Sequence, residues 1–148
     1  AHAHAAGEGS QVEIRLGAGS GTPGETPLAA RFSVIALGDG RFTGTGPFYH
    51  GARFELGPMA LLELGGVRIA VASRKQQAAD QAMFRHLRVE PADYAVLALK
   101  SSVHFRADFG PIASRVLVVE APGPNIADPA KLPFHKLRPG MRTSPRRQ

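Results

Sequence analysis

The strongest constraint on the fold is a pair of short apolar runs, Ala60 to Leu64 and Val67 to Ala72, which are joined by Gly65-Gly66. A two-residue glycine loop is the connection that a tight β-hairpin prefers, because both of its positions adopt positive φ without steric cost. The pattern therefore predicts an antiparallel hairpin in the middle of the chain.

Strand-like patterns also precede this hairpin. Val12 to Leu16 alternates polar and apolar residues, as a half-buried strand does, and Gly17 to Pro27 has the composition of a loop. Ala29 to Leu37 leads into the turn Gly38-Asp39-Gly40, after which Arg41 to Thr45 is predicted to return as the second strand of a hairpin. Together these segments predict an antiparallel meander.

After the meander the spacing of apolar residues becomes helical. Met83, Phe84 and Leu87 would share one face of a short helix. Asp80 is placed to cap the start of that helix, and Pro91 is placed to close the segment.

Two further runs, Tyr94 to Leu99 and Arg115 to Glu120, are almost wholly apolar. Strands that are covered on both faces have this composition, and the interval between the runs is long enough for a helical crossover. We therefore predict a short parallel β-α-β element after the antiparallel meander, in an α/β fold with a mixed sheet.

Composition limits the size and organisation of the fold. A chain of 148 residues with 43% hydrophobic content can form a core, and we expect a single domain over residues 1–148. Proline and arginine are frequent from residue 121 onward, which predicts an extended tail over 121–148. The alanine-rich start, which has no methionine and reads as a helix end closed by Gly7 or Gly9, suggests a domain of a longer protein.

Charge and residue usage exclude several classes of partner. The net charge is +6, but arginines near the carboxyl terminus supply part of it, and no basic stripe interleaved with aromatic residues is present. No apolar run is long enough for a membrane span and no secretory signal is visible. The chain has no cysteine, which suits a reducing compartment. We expect a cytoplasmic protein with no nucleic-acid or membrane partner.

Polar residues follow two of the apolar runs at the positions where strands would end. Such carboxyl ends are where ligands bind in open sheets with parallel strands, so these residues are candidates for substrate binding. The first group is Ser73, Arg74, Lys75, Gln76 and Gln77, and the second is Lys100, Ser101, Ser102, His104 and Arg106.

The second group has two interpretations. Ser102 is a good N-cap for a helix over Val103 to Phe109, with Gly110-Pro111 ending it. The free amides of that helix start, with Lys100 and Arg106 nearby, would then cradle a carboxylate or phosphate. Alternatively, the serine only caps the helix and the charged residues are solvated. The residues alone leave both interpretations open.

Catalysis within this group is disfavoured. Asp108 follows His104 by one helical turn and would orient its imidazole toward Ser101 or Ser102, so a catalytic triad can be drawn. Triad members usually come from separate elements, however, and the G-x-S-x-G turn is absent. The histidines also lack the spacing of a metal site. We expect neither a catalytic residue nor a metal site in this chain, with His104 and Arg106 as auxiliary groups at most.

Two stretches carry a family resemblance. They are DGRFTGTGPFYHGARFELGPMALLELGGVRIAVASRKQQAADQAMFRHL and YAVLALKSSVHFRADFGPIASRVLVVEAPG. The most specific part pairs S-R-x-x-Q-x-x-D, from Ser73 to Asp80, with K-S-S-x-H-F-R-A, from Lys100 to Ala107. The chain resembles the C-terminal domain of the microcystinase C (MlrC-like) zinc metallopeptidase family, over nearly its whole length. It departs from that pattern at Ala79 and Gln81, where an aromatic residue and a proline commonly flank the aspartate.

The resemblance implies a function for the polar residues. The parent protein would be a zinc-dependent peptidase or amidohydrolase whose N-terminal domain holds the zinc and is the partner of this domain. The K-S-S-x-H-F-R segment would then face the cleft between the domains. The residues implied to contact a peptide or other amide substrate are Lys100, Ser101, Ser102, His104 and Arg106, with Ser73, Arg74 and Gln77 beside them. This chain alone is expected to hold no zinc and to be inactive, and homo-oligomerisation is left open. The alternative is a non-catalytic module that binds an anion or a partner protein.

Overall fold

The computed structural model describes residues 1–17, 19, 25–119 and 128–144. Contacts divide the chain into two compact units, one of Ala1–Arg15 with Ala29–Leu117 and the other of Leu16–Leu28 with Val118–Gln148. The α-helices and strands are α1 (His2–Ala6), β1 (Gln11–Leu16), β2 (Leu28–Gly38), β3 (Arg41–Thr43), β4 (Arg53–Glu55), β5 (Met59–Leu64), β6 (Val67–Ala72), α2 (Ala82–Arg85) and α3 (Phe105–Phe109). Short 3-10 helices span Pro91–Asp93, Gly110–Ile112 and Pro129–Lys131. The fold is mixed α/β, as predicted.

The main sheet has four strands in the order β1-β2-β5-β6. β5 and β6 pair antiparallel, and the connecting Gly65 and Gly66 have φ of 56° and 81°, which confirms the predicted hairpin. β2 also pairs antiparallel with β5, with a register irregularity between Val34 and Ala36. The predicted helix end at the start of the chain is present as well, since α1 ends at Gly7 with φ of 87°.

The predicted hairpin between β2 and the strand after it is wrong. β3 pairs with β4 in a separate two-stranded sheet, with Phe42 stacked on Phe54 at a centroid distance of 4.9 Å. The turn does not fold β3 back on β2, because Gly40 packs directly against Gly57 and its carbonyl accepts the N–H of Leu56 at 2.9 Å. The chain is thereby directed to the segment that follows β4.

The core of the first unit lies between the sheets and α2. Met83 and Leu87, two of the residues predicted to share a helical face, are buried in it together with Met59 and Leu61 of β5. The helix itself is short and begins at Ala82 after Gln81, but Asp80 does support its start, since Oδ1 accepts the N–H of Ala82 at 2.8 Å. Pro91 follows, buried at the start of a 3-10 helix.

The predicted parallel β-α-β element is not formed within the described residues. Neither 94–99 nor 115–119 is a strand, although α3 does form between them. Val96 and Leu117 remain 83% and 68% exposed. The physical reason is that a strand needs a neighbour for its backbone N–H and C=O groups, and no described residue supplies one here.

Much of the predicted tail lies outside the described residues, namely 121–127 and 145–148. In 128–144 the structure has a 3-10 helix at Pro129–Lys131, and the carboxylate of Asp128 accepts the N–H of Ala130 at 3.0 Å. No helix among the described residues is long and apolar enough to cross a membrane.

Asp80 is completely buried and connects separate parts of the first unit. Its Oδ2 accepts the N–H of Gly46 at 2.9 Å, while Oδ1 accepts the N–H of Ala82. The carboxylate therefore fastens the loop after β3 to the start of α2.

We expect Asp80→Ala to lower the free energy of unfolding by about 3 kcal/mol, because it leaves two buried N–H groups unpaired. Asp93→Ala, which removes an exposed carboxylate, is the matched control and should change stability little. Urea denaturation of both variants measures the effect. Equal stability of the two variants would contradict the role assigned to Asp80.

Glu8, which follows α1, and Arg88, which follows α2, form a long-range ion pair. Glu8 also accepts the N–H of Leu37 at 2.8 Å. Hydrogen bonding to Arg88 first, and to Leu37 second, holds the pKa of Glu8 below its ordinary value of 4.5. A carboxyl pKa that folding lowers gives stability that is present above the unfolded pKa and is lost as pH falls through the folded pKa.

Glu8→Gln should therefore reduce the loss of stability on acidification below about pH 4.5. Arg88→Gln should flatten the same pH dependence, because it removes the cation that lowers the carboxyl pKa. The melting temperatures of both variants, measured from about pH 6 to about pH 3, test this, because carboxyl groups titrate in that range. An unchanged acid slope in Glu8→Gln would refute the assignment.

Candidate functional site

The two polar motifs meet at one hydrogen bond. Gln77 follows β6 and Ser101 follows the apolar run 94–99, and the Nε2 of Gln77 donates to the Oγ of Ser101 at 2.9 Å. Because these residues are separated along the sequence, only tertiary packing brings them together. The contact identifies one point in the first unit where both candidate groups are represented.

His104 lies close by in sequence and is exposed, with its ring stacked on that of Phe48. The ring centroids are 3.9 Å apart and the planes differ by 9°. Phe48 in turn contacts Tyr49 edge-on at 4.6 Å. An aromatic platform therefore sets the orientation of the imidazole.

Sequence reasoning missed Phe48 and the loop that carries it. Gly44-Thr45-Gly46-Pro47 lacks the pattern of a phosphate loop or dinucleotide fingerprint, and the structure gives it a different role. Gly46 donates its N–H to Asp80, and a Cβ at this glycine would lie 2.5 Å from the Oδ2 of Asp108. The available signal was the pair of closely spaced glycines ahead of an aromatic pair, which indicates a close backbone approach.

Asp108 does not orient His104. Its Oδ2 accepts the N–H of Gln81 at 2.6 Å, and its backbone carbonyl accepts the Nε2 of Gln81 at 2.7 Å. The residue therefore fastens α3 to the start of α2. The triad that can be drawn from the sequence is not formed, since its orienting carboxylate is engaged by Gln81.

Ser102 does not cap α3, so the predicted cap is wrong. The helix begins at Phe105 with His104 in the capping position, and no side chain caps it. The N–H of Arg106 instead bonds to the carbonyl of Val103 at 3.2 Å, so a tighter turn precedes the helix. Gly110 ends α3 as predicted and starts a 3-10 helix. Because Ser102 does not cap α3, the predicted cradle of capped helix amides is not formed, whereas the exposure of Arg106 agrees with the second interpretation.

The positive charges of the second group face solvent. Lys100 and Arg106 are exposed, and the guanidinium of Arg106 lies over the ring of Phe105 at 5.2 Å from its centroid. Lys100 directly precedes Ser101, and Arg106 lies two residues after His104, so both belong to one short segment. This arrangement offers cations and a hydroxyl to an incoming anionic or carbonyl group.

Ser73 and Arg74 have partners elsewhere. The Oγ of Ser73 donates to the carbonyl of Pro58 at 2.6 Å, and Nη1 of Arg74 donates to the carbonyl of Glu55 at 3.1 Å. These bonds fasten the end of β6 to the connection between β4 and β5. Of the first polar group, Gln77 is the member that the hydrogen bonds connect to the second group.

A metal site does not fit the residues that are described. Across 1–17, 19, 25–119 and 128–144, no group of three or more His, Cys, Asp or Glu side chains could hold a metal ion.

Comparison with known proteins identifies relatives along most of the chain. The sequence pattern of a family described as MlrC C-terminus matches residues 1–136. Microcystinase C from Sphingomonas sp. is 31% identical over 114 residues, which are 77% of this chain and 22% of the relative. The crystal structure of a protein provisionally described as a metallopeptidase, from Mesorhizobium sp. BNC1, matches with a TM-score of 0.79 and 28% identity. That match covers 92% of this chain and 27% of the other, so the chain spans about a quarter of each relative.

We expect Phe48→Leu to release the His104 ring from its aromatic platform. In the unaltered protein the stacked phenyl ring should shift the imidazole carbon-bound protons of His104 upfield, and the variant should lose this shift. NMR spectra of the imidazole protons measure the effect, with the exposed His50 as the internal control. Identical His104 shifts in both proteins would show that the rings do not stack in solution.

Proposed function

Since the chain belongs to the MlrC C-terminus family, we propose that it is the C-terminal domain of a zinc-dependent peptidase or amidohydrolase. In this proposal the parent protein is longer and cytoplasmic, and its N-terminal domain is the partner of this chain. The names of the relatives support the hydrolytic class, and their greater length supports the missing domain. The role of this chain is to bind and position the substrate.

The observation that carries the proposal is the hydrogen bond between Gln77 and Ser101, with Lys100 and Arg106 exposed beside it. It joins the two motifs that are most specific to the family resemblance. If the bond between Gln77 and Ser101 served stability alone, the same short segment would not require cations that face solvent. The arrangement suits recognition of a polar, partly anionic substrate.

The chemistry of these side chains suits a peptide. A guanidinium and an ammonium group bind carboxylates through charge-assisted hydrogen bonds, and a peptide has a carboxylate at its end or in acidic side chains. The same cations could instead stabilise the oxyanion that develops when an amide carbonyl is attacked. In both cases Lys100 and Arg106 act on charge, whereas Gln77 and Ser101 supply neutral polar contacts.

The described residues do not fit a zinc site, because they contain no suitable group of ligands. We therefore assign the zinc to the N-terminal domain and no metal chemistry to this chain. His104, held on Phe48, is assigned a contact with the substrate and not a ligand position.

A second function uses the same exposed cations without chemistry. In a binding module, Lys100 and Arg106 would capture an anionic ligand or an acidic segment of a partner protein. The observation that favours this candidate is the absence of a metal-ligand group from the described ranges. The coding sequence upstream of Ala1 separates the two candidates, since the enzyme requires a preceding domain with metal ligands.

In the full-length parent protein we expect Arg106→Ala and Lys100→Ala each to lower kcat/KM about 10-fold or more, because each removes a charge-assisted hydrogen bond. Arg41→Ala, which removes an exposed arginine of β3, is the charge-matched control and should have little effect. Hydrolysis of a peptide library measures the change. Unaltered kcat/KM in both variants, or hydrolysis by residues 1–148 alone, would contradict the proposal.

A further inference from the structure

Two segments of the first unit that are neither helix nor strand, at residues 94–100 and 113–117, expose apolar side chains; we call them the open segments. Val96 is 83% exposed and Leu117 is 68% exposed. Along the first segment, exposed Val96, Ala98 and Lys100 alternate with less exposed Leu97 and Leu99. This period of two is the pattern of a β-strand with one face covered and the other open.

The backbone of the open segments lacks strand partners among the described residues. Tyr94 and Ala113 donate their N–H groups to Pro91 and Gly110, respectively, and each closes a 3-10 turn. Both residues have extended dihedral angles, with φ of −106° and −101°. Beyond them, no backbone hydrogen bond joins 95–100 or 114–117 to another described residue. Backbone N–H and C=O groups without partners are available for pairing with an added strand.

Side-chain hydrogen bonds position both ends of the first open segment. Nη1 of Arg68 in the edge strand β6 donates to the Tyr94 hydroxyl at 2.8 Å, and the amide of Gln77, which lies beyond the end of β6, donates to Ser101. Because both bonds join side chains, they position the segment and leave the backbone groups of 95–100 unpaired within the described part of the chain.

We propose that the open segments are strands completed by pairing with the N-terminal domain of the same longer protein. The inference rests on the proposed function for the existence of that domain. The relatives support this occupant, because about three quarters of each lies outside the match to this chain. Position supports it too, since the first segment runs directly into Lys100 and Ser101. A domain paired there would lie beside the candidate site.

Strand pairing would bury the exposed apolar face and satisfy the open backbone together. Val96 and Leu117 are branched apolar residues, which suit a strand within a covered sheet. In this proposal the open segments form strands only in the longer protein.

Hydrogen–deuterium exchange of this chain and of the full-length parent tests the proposal. Amides of 95–100 and 114–117 should exchange quickly in this chain and at least about 100-fold more slowly in the parent. Amides of β5, which is paired on both sides, are the internal control and should be protected in both proteins. Fast exchange at the open segments in both proteins would overturn the proposal.

Slow amide exchange of the open segments in the isolated chain, without the N-terminal domain, would also overturn the proposal. If that protection is independent of concentration, the segments pair within the chain, and if it increases with concentration, a second copy is the occupant. In the parent, Val96→Asp should restore fast exchange at 95–100 while β5 stays protected. Val67→Asp, at a position of β6 that is 62% exposed, is the matched control and should leave the open segments protected.

The outcomes separate this inference from the proposed function. If no domain precedes Ala1 in the coding sequence, both fail. If the domain exists and the open segments exchange freely, only the pairing fails. If the segments are protected and Arg106→Ala leaves kcat/KM unchanged, the pairing stands and the function assigned to the polar residues fails.

Discussion

The buried carboxylate of Asp80 holds together the parts of the first unit that carry the candidate site. Burial of a carboxylate is costly unless hydrogen bonds replace its water, and the N–H groups of Gly46 and Ala82 do so. Through Gly46 the carboxylate positions the loop that ends in Phe48, and Phe48 supports His104. The exposed site residue thus depends on a buried residue that would not contact a substrate.

A second aspartate extends this network from the core to α3. Asp108 accepts the N–H of Gln81, the residue next to Asp80, so α2 and α3 are fastened at neighbouring positions. The contact needs the backbone N–H of Gln81, which a proline at this position would lack. Gly46 has to be a glycine here because Asp108 occupies the space of its Cβ.

Short sequence patterns predicted the elements whose pairing depends on residues close together in sequence. The hairpin of β5 and β6 was predictable because Gly65-Gly66 sets both its turn and its register. The pairing of β3 with β4 was not, because it depends on the packing of Gly40 against Gly57, which no local pattern reveals. The same limit applies to the site: the polar residues were recognisable, but the bond of Ser73 to Pro58 and the support of His104 by Phe48 arise from packing.

The sequence by itself determined the hairpin of β5 and β6 with its glycine turn and which polar residues follow the apolar runs, because alternation and turn glycines act over a few residues. Family membership was also readable, since the paired motifs from Ser73 and from Lys100 are local strings. Only the tertiary structure decided which strands pair, that Asp108 binds Gln81 instead of His104, and that the runs at 94–99 and 115–119 lack partners among the described residues. The physical reason is that hydrogen-bonding groups and apolar faces are paired with residues that folding brings close in space. Those residues are distant in sequence.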